Sequence, residues 1–328
     1  MRKRMLPGGL RSVMLRAALL LCTAGSLPAQ EYPSKPVKVI VPFEVGGTLD
    51  AVARLIAPKL TEAWGQQVIV ENRAGAGGDI GAQAAARSRP DGYTVFVNTP
   101  SFAVNLSLQK NLPYHPVKDF SPVSLLAWTN GVLLVPPTLP VNSVKQLIAL
   151  AKAKPGQLTY ASTGTGTAGH LNMELFKNLT GIDVVHVPYK SIGQAQTDLM
   201  SGRVVLWIAS LPGAVPHIKS GRMRALAVSG ATRSTAVPDV PTMQEAGVAG
   251  YEAVSWFGMF VPAGTPREAI GKLHDETVRA LQRPDVRERF TALGVEPIGS
   301  TPEDLAKYLQ AEITKWAGVV ERTGMRPE

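Results

Sequence analysis

The sequence predicts an α/β fold of two doubly wound lobes joined by a hinge of two chain crossings, and three observations carry that prediction. Short β-branched runs alternate with amphipathic stretches, the βαβ rhythm that builds parallel sheets covered on both faces. The chain has 328 residues, 45% of them hydrophobic, more than one core usually serves, so two cores are expected. The last three amphipathic stretches lack strands of their own, so the chain must return to its first lobe to bury them.

The N-terminus carries Arg2, Lys3, Arg4, Arg11 and Arg16, then an apolar run from Ala17, then Leu27, Pro28 and Ala29 before the polar "QEYPSKP". That is the layout of a secretory signal peptide over 1–29, cleaved near Gln30. The run is shorter than the roughly 20 residues of a membrane span. Cys22, the only cysteine, lies inside it, so the mature chain would hold no disulfide and no thiol nucleophile. The alternative, an acylated Cys22, lacks a small residue before the cysteine in "LLLC". The formal charge of +9 drops to +4 once five basic residues leave with the leader, with 29 basic against 25 acidic side chains remaining. Nucleic-acid binding thereby loses its main argument.

In the first lobe, "VKVIVPF" reads as a buried strand. Thr48 to Trp64 then places Leu49, Val52, Ala53, Ile56, Leu60 and Trp64 on one helical face, with Pro58 expected to kink the helix. Strand "QVIVEN", the glycine-rich "RAGAGG", a helix from Asp79 to Ser88 and strand "TVFVN" follow. The second lobe repeats the pattern. Strand "VLLV" leads to a helix opened by a capping box of Ser143 and Gln146, then "LTYAS", a glycine loop and a helix from Ala168 to Leu179. Strand "DVVHVPY", helix Gly193 to Met200, strand "VVLWIA", helix Gly213 to Ser220 and strand "RALAVS" complete it. After the connector Thr235 to Gly250, "AVSWFGMFVP" is one more strand. Helices from Thr265 to Leu281 and Asp285 to Leu293 precede a last helix, capped by Thr301 with Pro302 at its first position.

The crossings fall near Ala127 to Val132 and Ser255 to Phe260. This division assigns 30–128 and 259–328 to lobe 1 and 129–258 to lobe 2, with a ligand cleft between them. Hinged α/β lobes close over ligands in such a cleft.

The stretch "LTYASTGTGTAGHLN" contains Gly164, Gly166 and Gly169 in GxGxxG spacing. A dinucleotide fingerprint needs an acid at the end of the next strand. Asp183 instead begins that strand, so no nucleotide cofactor is expected. The physical content that survives is a strand feeding a glycine loop and a helix N-terminus, which favours an anion. The loop from Phe43 to Asp50, with Gly46, Gly47 and Thr48, has the same form in the other lobe. On this reading Ser162, Thr163, Gly164, Thr165, Gly166 and Thr167 face those residues across the cleft. The plain alternative is two glycine turns with Thr48 and Thr167 as helix caps.

Other residues carry paired readings. Asp50 could receive a ligand hydroxyl or amine, or answer its own helix dipole. His170, one turn into the helix, lines the cleft or is structural, and Tyr189 donates into the cleft or belongs to the core. Thr99 and Ser101 follow a strand where parallel sheets present ligand contacts. His115, His186, His217 and His274 form no metal spacing, so no metal is expected. A hydrolase built on Ser162 and His170 is the reading from another class, but no GxSxG elbow or orienting acid accompanies them.

The chain resembles the extracytoplasmic solute receptors of tripartite tricarboxylate transporters, the Bug or TctC family, over essentially all of its mature length. The likeness rests on "YPSKPVKVIVPF", "GGTLDAVAR", "VIVENRAGAGGDIGA", "PDGYTV", "LPYHPVKDFSPVSLLA", "HVPYK", "GRMRALAVSGATRS", "VPDVPTMQEAG" and "WFGMFVPAGTP", among others. It implies a two-lobed periplasmic binding protein of type II-like form, a monomer that captures small carboxylates and delivers them to membrane permease subunits. A ligand-sensing subunit of a signalling system differs only in partner. The resemblance also implies that the ligand carboxylate is held by the two glycine loops. The sequence departs from the family pattern at Val45, Leu49, Ser191 and Val205, and Ser210 is a polar candidate for the pocket. These departures tilt the pocket toward a ligand with an apolar body.

Overall fold

The computed structural model describes residues 32–324; the expected signal peptide, its cleavage site and Cys22 lie outside them. The first sheet is built from β1 (Val37–Val41), β2 (Val68–Asn72) and β3 (Thr94–Asn98), paired in parallel with β1 in the middle. The long strand β4 (Phe120–Val135) and β9 (Val254–Pro262) join it antiparallel to each other, and β9 pairs with β3. The short β10 (Val295–Pro297) closes on β4.

Alternate residues of β1 face opposite sides, as strand geometry requires. Val37, Val39 and Val41 pack under α1 (Thr48–Trp64), α8 (Arg267–Gln282) and α9 (Pro284–Ala292), through Leu49, Ile56, Leu60, Leu273 and Phe290. On the other side Ile40 and Phe96 meet α2 (Asp79–Ala86), α3 (Ser101–Leu108) and the first half of α10 (Pro302–Thr323). The sheet is thus doubly wound. Pro58 lies inside α1, which continues through it.

The second sheet orders β6 (Val185–Pro188), β5 (Thr159–Ser162) and β7 (Leu206–Ser210) in parallel, and β7 and β8 (Arg224–Val228) both pair antiparallel with the end of β4. Along β7, Leu206 and Ile208 face α4 (Val144–Ala153) and α5 (Ala168–Thr180), whereas Trp207 and Ala209 face α6 (Ile192–Ser201) and α7 (Leu211–Lys219). Ser143 caps α4 by accepting from the Gln146 amide at 3.2 Å. The Gln146 side chain returns to the Asn142 amide at 2.7 Å, one residue earlier than a capping box would place it.

The lobes exchange chain at two points. Strand β4 changes sheets between Asn130, which pairs with Val254, and Gly131, which pairs with Ser210. The return lies just upstream of the expected Ser255 to Phe260: the Ala253 amide donates to Ser229 in the second sheet, while β9 from Val254 onward pairs in the first.

Two expectations are corrected. The last helix does not pack on the first lobe alone. Leu305, Leu309 and Ile313 of α10 enter the first core, while Trp316 and Val319 enter the second. At the midpoint Glu312 accepts from the indoles of Trp256 and Trp316, each at 2.8 Å. Helix α3, absent from the sequence reading, also wedges between the lobes, with Phe102 and Ala103 in one core and Val104 and Leu108 in the other. Its polar Ser101 and Asn105 are buried along with its apolar residues, so it shows no amphipathic period to read.

Candidate functional site

A cavity of about 580 Å³ lies between the lobes. Gly46, Gly47, Thr48 and Ala51 from α1 and the loop before it line one side, with Ser255 of β9 and Ala292 and Leu293 at the end of α9. Thr163, Ala168, Gly169 and Asn172 face them from the second glycine loop and α5, beside Ile192 and Gln196 of α6 and Trp207 to Ser210 of β7. Gly131, where β4 changes sheets, lies between.

The N-terminal ends of α1, α5, α6 and α7 all reach this cavity, through Gly47 and Thr48, Ala168 and Gly169, Ile192, and Ser210 and Pro212. Of these, only α6 has its first-turn amides taken up by a side-chain cap, Ser191. Helices α1, α5 and α7 have no such cap, so no capping side chain takes up their first-turn N–H groups, of which α7 has one fewer because Pro212 carries none. None of the lining residues is ionisable among those described. Oriented amides and helix dipoles are therefore the source of positive potential here.

The first loop is shaped from behind. Gly46 adopts φ +91°, which favours glycine, and its amide donates to Asp50 Oδ2 at 3.0 Å. Asp50 also accepts from Arg54 Nε at 2.9 Å and Asn72 Nδ2 at 2.9 Å. Burial alone would raise its pKa, but the bonds from Arg54, Gly46 and Asn72 outweigh that and hold it below the ordinary carboxylate value. Asp50 is thus saturated by its own protein and does not line the cavity.

A stack of rings supports the second loop. Tyr160, His186 and His170 lie with centroids 4.9 and 4.3 Å apart. His186 Nε2 is 2.6 Å from Ser162 Oγ, which accepts from the Gly164 amide at 3.0 Å. His170 Nδ1 accepts from the Gly166 amide at 3.1 Å. Burial, then the neighbouring His186, lowers the His170 pKa to about 4, so at neutral pH it is an acceptor without charge. Beneath, Tyr160 and Lys177 each donate to Glu174 Oε1 at 2.7 Å.

Of the residues expected to touch a ligand, Gly46, Gly47, Thr48, Thr163 and Ser210 line the cavity. The others stand off its wall for identifiable reasons. Phe43 packs over Gly78. Thr99 and Ser101 bond each other at 3.1 Å at the start of α3. Thr167 Oγ1 donates to Gly164 O at 2.7 Å and so turns inward instead of capping α5. Ser162 and Gly164 form the tight turn held by His186, and Thr165 sits within the same turn. Gly166 faces α3, where a Cβ would come within 2.9 Å of Leu108. His170 points back into the ring stack, and Tyr189 donates to Asp198 Oδ2 at 3.0 Å. The Ser162–His170 nucleophile reading gains nothing, since Ser162 is fully buried and paired with His186.

Sequence reasoning missed Asn172, Gln196, Trp207, Ser255, Ala292 and Leu293. Asn172 left no trace, since His170 and Glu174 are polar and buried in the same helix and neither lines the cavity. Ala292 and Leu293 left none, because only the pairing of β10 with β4 brings the end of α9 to the cavity.

The architecture has known counterparts. Residues 52–325 match the model of the tripartite tricarboxylate transporter family receptors. The chain is 41% identical over 313 residues to protein BugT of Bordetella pertussis, covering 94% of this chain and 96% of that one. The structure of R. palustris Rpa4515 with adipate superposes with a TM-score of 0.83 at 38% identity, covering 91% of this chain and 100% of the other. MatC from Rhodopseudomonas palustris with bound malate gives 0.79 at 35%, covering 88% and 100%. The chain therefore belongs to the tripartite tricarboxylate transporter receptor family, the Bug or TctC periplasmic solute-binding proteins.

Proposed function

We propose that this chain is exported to the periplasm, works as a monomer, captures a small carboxylate in the cavity between its lobes and delivers it to the membrane permease subunits of a tripartite transporter. The observation that carries the reading is a cavity without ionisable side chains toward which uncapped helix N-termini converge from both lobes. Each such terminus favours an anion by roughly 0.3–1 kcal/mol, and by about 2 kcal/mol where partly buried. The adipate and malate named in the two related structures are anions that such a site can hold.

In this reading the lobes divide near 130/131 and 253/254, where β4 leaves the first sheet and β9 enters it. An anion gains contacts from each lobe only when they approach, so ligand draws them together. No cofactor, metal or nucleic acid enters the reading. Native mass spectrometry of protein purified from periplasm without refolding tests it, with a retained small organic acid expected. Bare protein that no carboxylate stabilises against heat would overturn the reading, as would turnover of an ester or amide.

A further inference from the structure

We infer that Asn172 and Trp207 set the specificity of this cavity, selecting a monocarboxylate that carries a neutral hydrogen-bonding group, a carboxamide above all, over a dicarboxylate. The inference rests on the carboxylate reading above and adds the chemistry of the ligand's remaining part.

Asn172 is 3% exposed and Trp207 4%, and both line the cavity. Neither the Asn172 side-chain amide nor Trp207 Nε1 has a hydrogen-bond partner among the described residues; the Tyr251 hydroxyl donates to the backbone oxygen of Asn172, not to its side chain. Their polar atoms open on the cavity, so a ligand that covers them must replace the hydrogen bonds that water can make there or bind at a cost.

Their positions assign them different work. Trp207 Nε1 lies 3.7 Å from where a Cβ on Gly169 would stand, beside the first turn of α5. Its single N–H joins the donors already directed at an anion there. Asn172 lies one helical turn further along α5, its Nδ2 only 3.0 Å from where a Cβ on Gly131 would stand. Glycine at 131 thus leaves room for the amide. An asparagine amide offers both a donor and an acceptor, which a carboxamide matches on both counts. A second carboxylate matches only the donor and meets the Asn172 oxygen with its charge. Ile208 lies beside Asn172, and the polar residues of the cavity lining are all neutral, so a second charge would lose its water without a counter-ion.

Calorimetric titration of the wild-type chain with two matched series tests this: butanoate, succinamate and succinate, and hexanoate, adipamate and adipate. In whichever length fits, the monoamide should bind at least tenfold more tightly than the diacid. Asn172→Leu should erase the advantage of the monoamide over the methyl-ended acid, and Trp207→Phe should weaken all the monoacids about tenfold while keeping that advantage. If leucine at 172 prevents folding, judged by circular dichroism, Asn172→Ala, which also removes both donor and acceptor, serves in its place. A wild-type preference for the diacid, or a monoamide advantage that survives at position 172, overturns the inference and leaves the receptor reading standing. Failure of every acid to bind wild-type protein instead overturns the carboxylate reading itself.

Discussion

The Gly166 amide donates to His170 Nδ1 over 3.1 Å, so a buried neutral histidine holds the backbone of the second glycine loop. Protonating His170 would remove that acceptor. Its folded pKa, near 4, lies below the ordinary 6.5, so the unfolded chain takes up the proton first as pH falls. Stability from this group is complete above about pH 6.5 and declines as pH falls toward 4, by about 3 kcal/mol in all. The melting temperature should fall between pH 6.5 and 5, above most carboxylate titrations, and His170→Gln should flatten that slope. A histidine resonance titrating near pH 4 would identify the group directly.

Asp50 shapes the first loop from behind, and its removal should act through that loop. Asp50→Ala strands the Gly46 and Asn72 donors and should lower stability by about 1–3 kcal/mol. Its carboxylate contribution is present above the ordinary pKa and lost as pH falls through the depressed folded value. Urea unfolding of the variant checks the loss, and calorimetry should show weaker carboxylate binding in the same protein.

Glu312 ties α10 to β9 at the junction of the two cores. Glu312→Leu leaves the Trp256 and Trp316 indoles without their acceptor, a loss of about 2–5 kcal/mol, whereas Glu312→Gln keeps an oxygen and should cost less. The order of urea midpoints should be wild type, glutamine, leucine. Equal midpoints for the two variants would contradict this account.

Thr163 lines the cavity and Thr165 does not. Thr163→Ala should therefore remove a hydrogen bond to a charged ligand, about 1.5–3 kcal/mol, or tenfold or more in affinity. Arg73 is committed to Glu71 and lies off the wall, so Arg73→Gln should change affinity by less than about threefold on the same scale. Titration of both variants with one carboxylate compares them.

Much of this was legible because local chemistry and tertiary position agree in it. The β-branched runs "VKVIV" and "TVFVN" are strands, and the two glycine loops meet across one cavity because both follow parallel strands at their carboxyl ends. The first half of β4 was hidden by Pro122 and by shifts of register at Pro122/Ser124 and Leu125/Ala127, which break the alternation. His170 and Tyr189 stand near the loops in sequence, but helix rotation and strand pleat turn their side chains inward. No local pattern records which way such a side chain turns.

The central claim is that oriented amides, without any cationic side chain, hold a carboxylate between the lobes. Calorimetric titration of the chain with a bound acid and with its methyl ester tests this most directly, since the ester keeps the body of the ligand and removes only the charge. Loss of two charge-assisted bonds at about 1.5–3 kcal/mol each predicts an ester at least a hundredfold weaker than the acid. Equal affinity for acid and ester would contradict it.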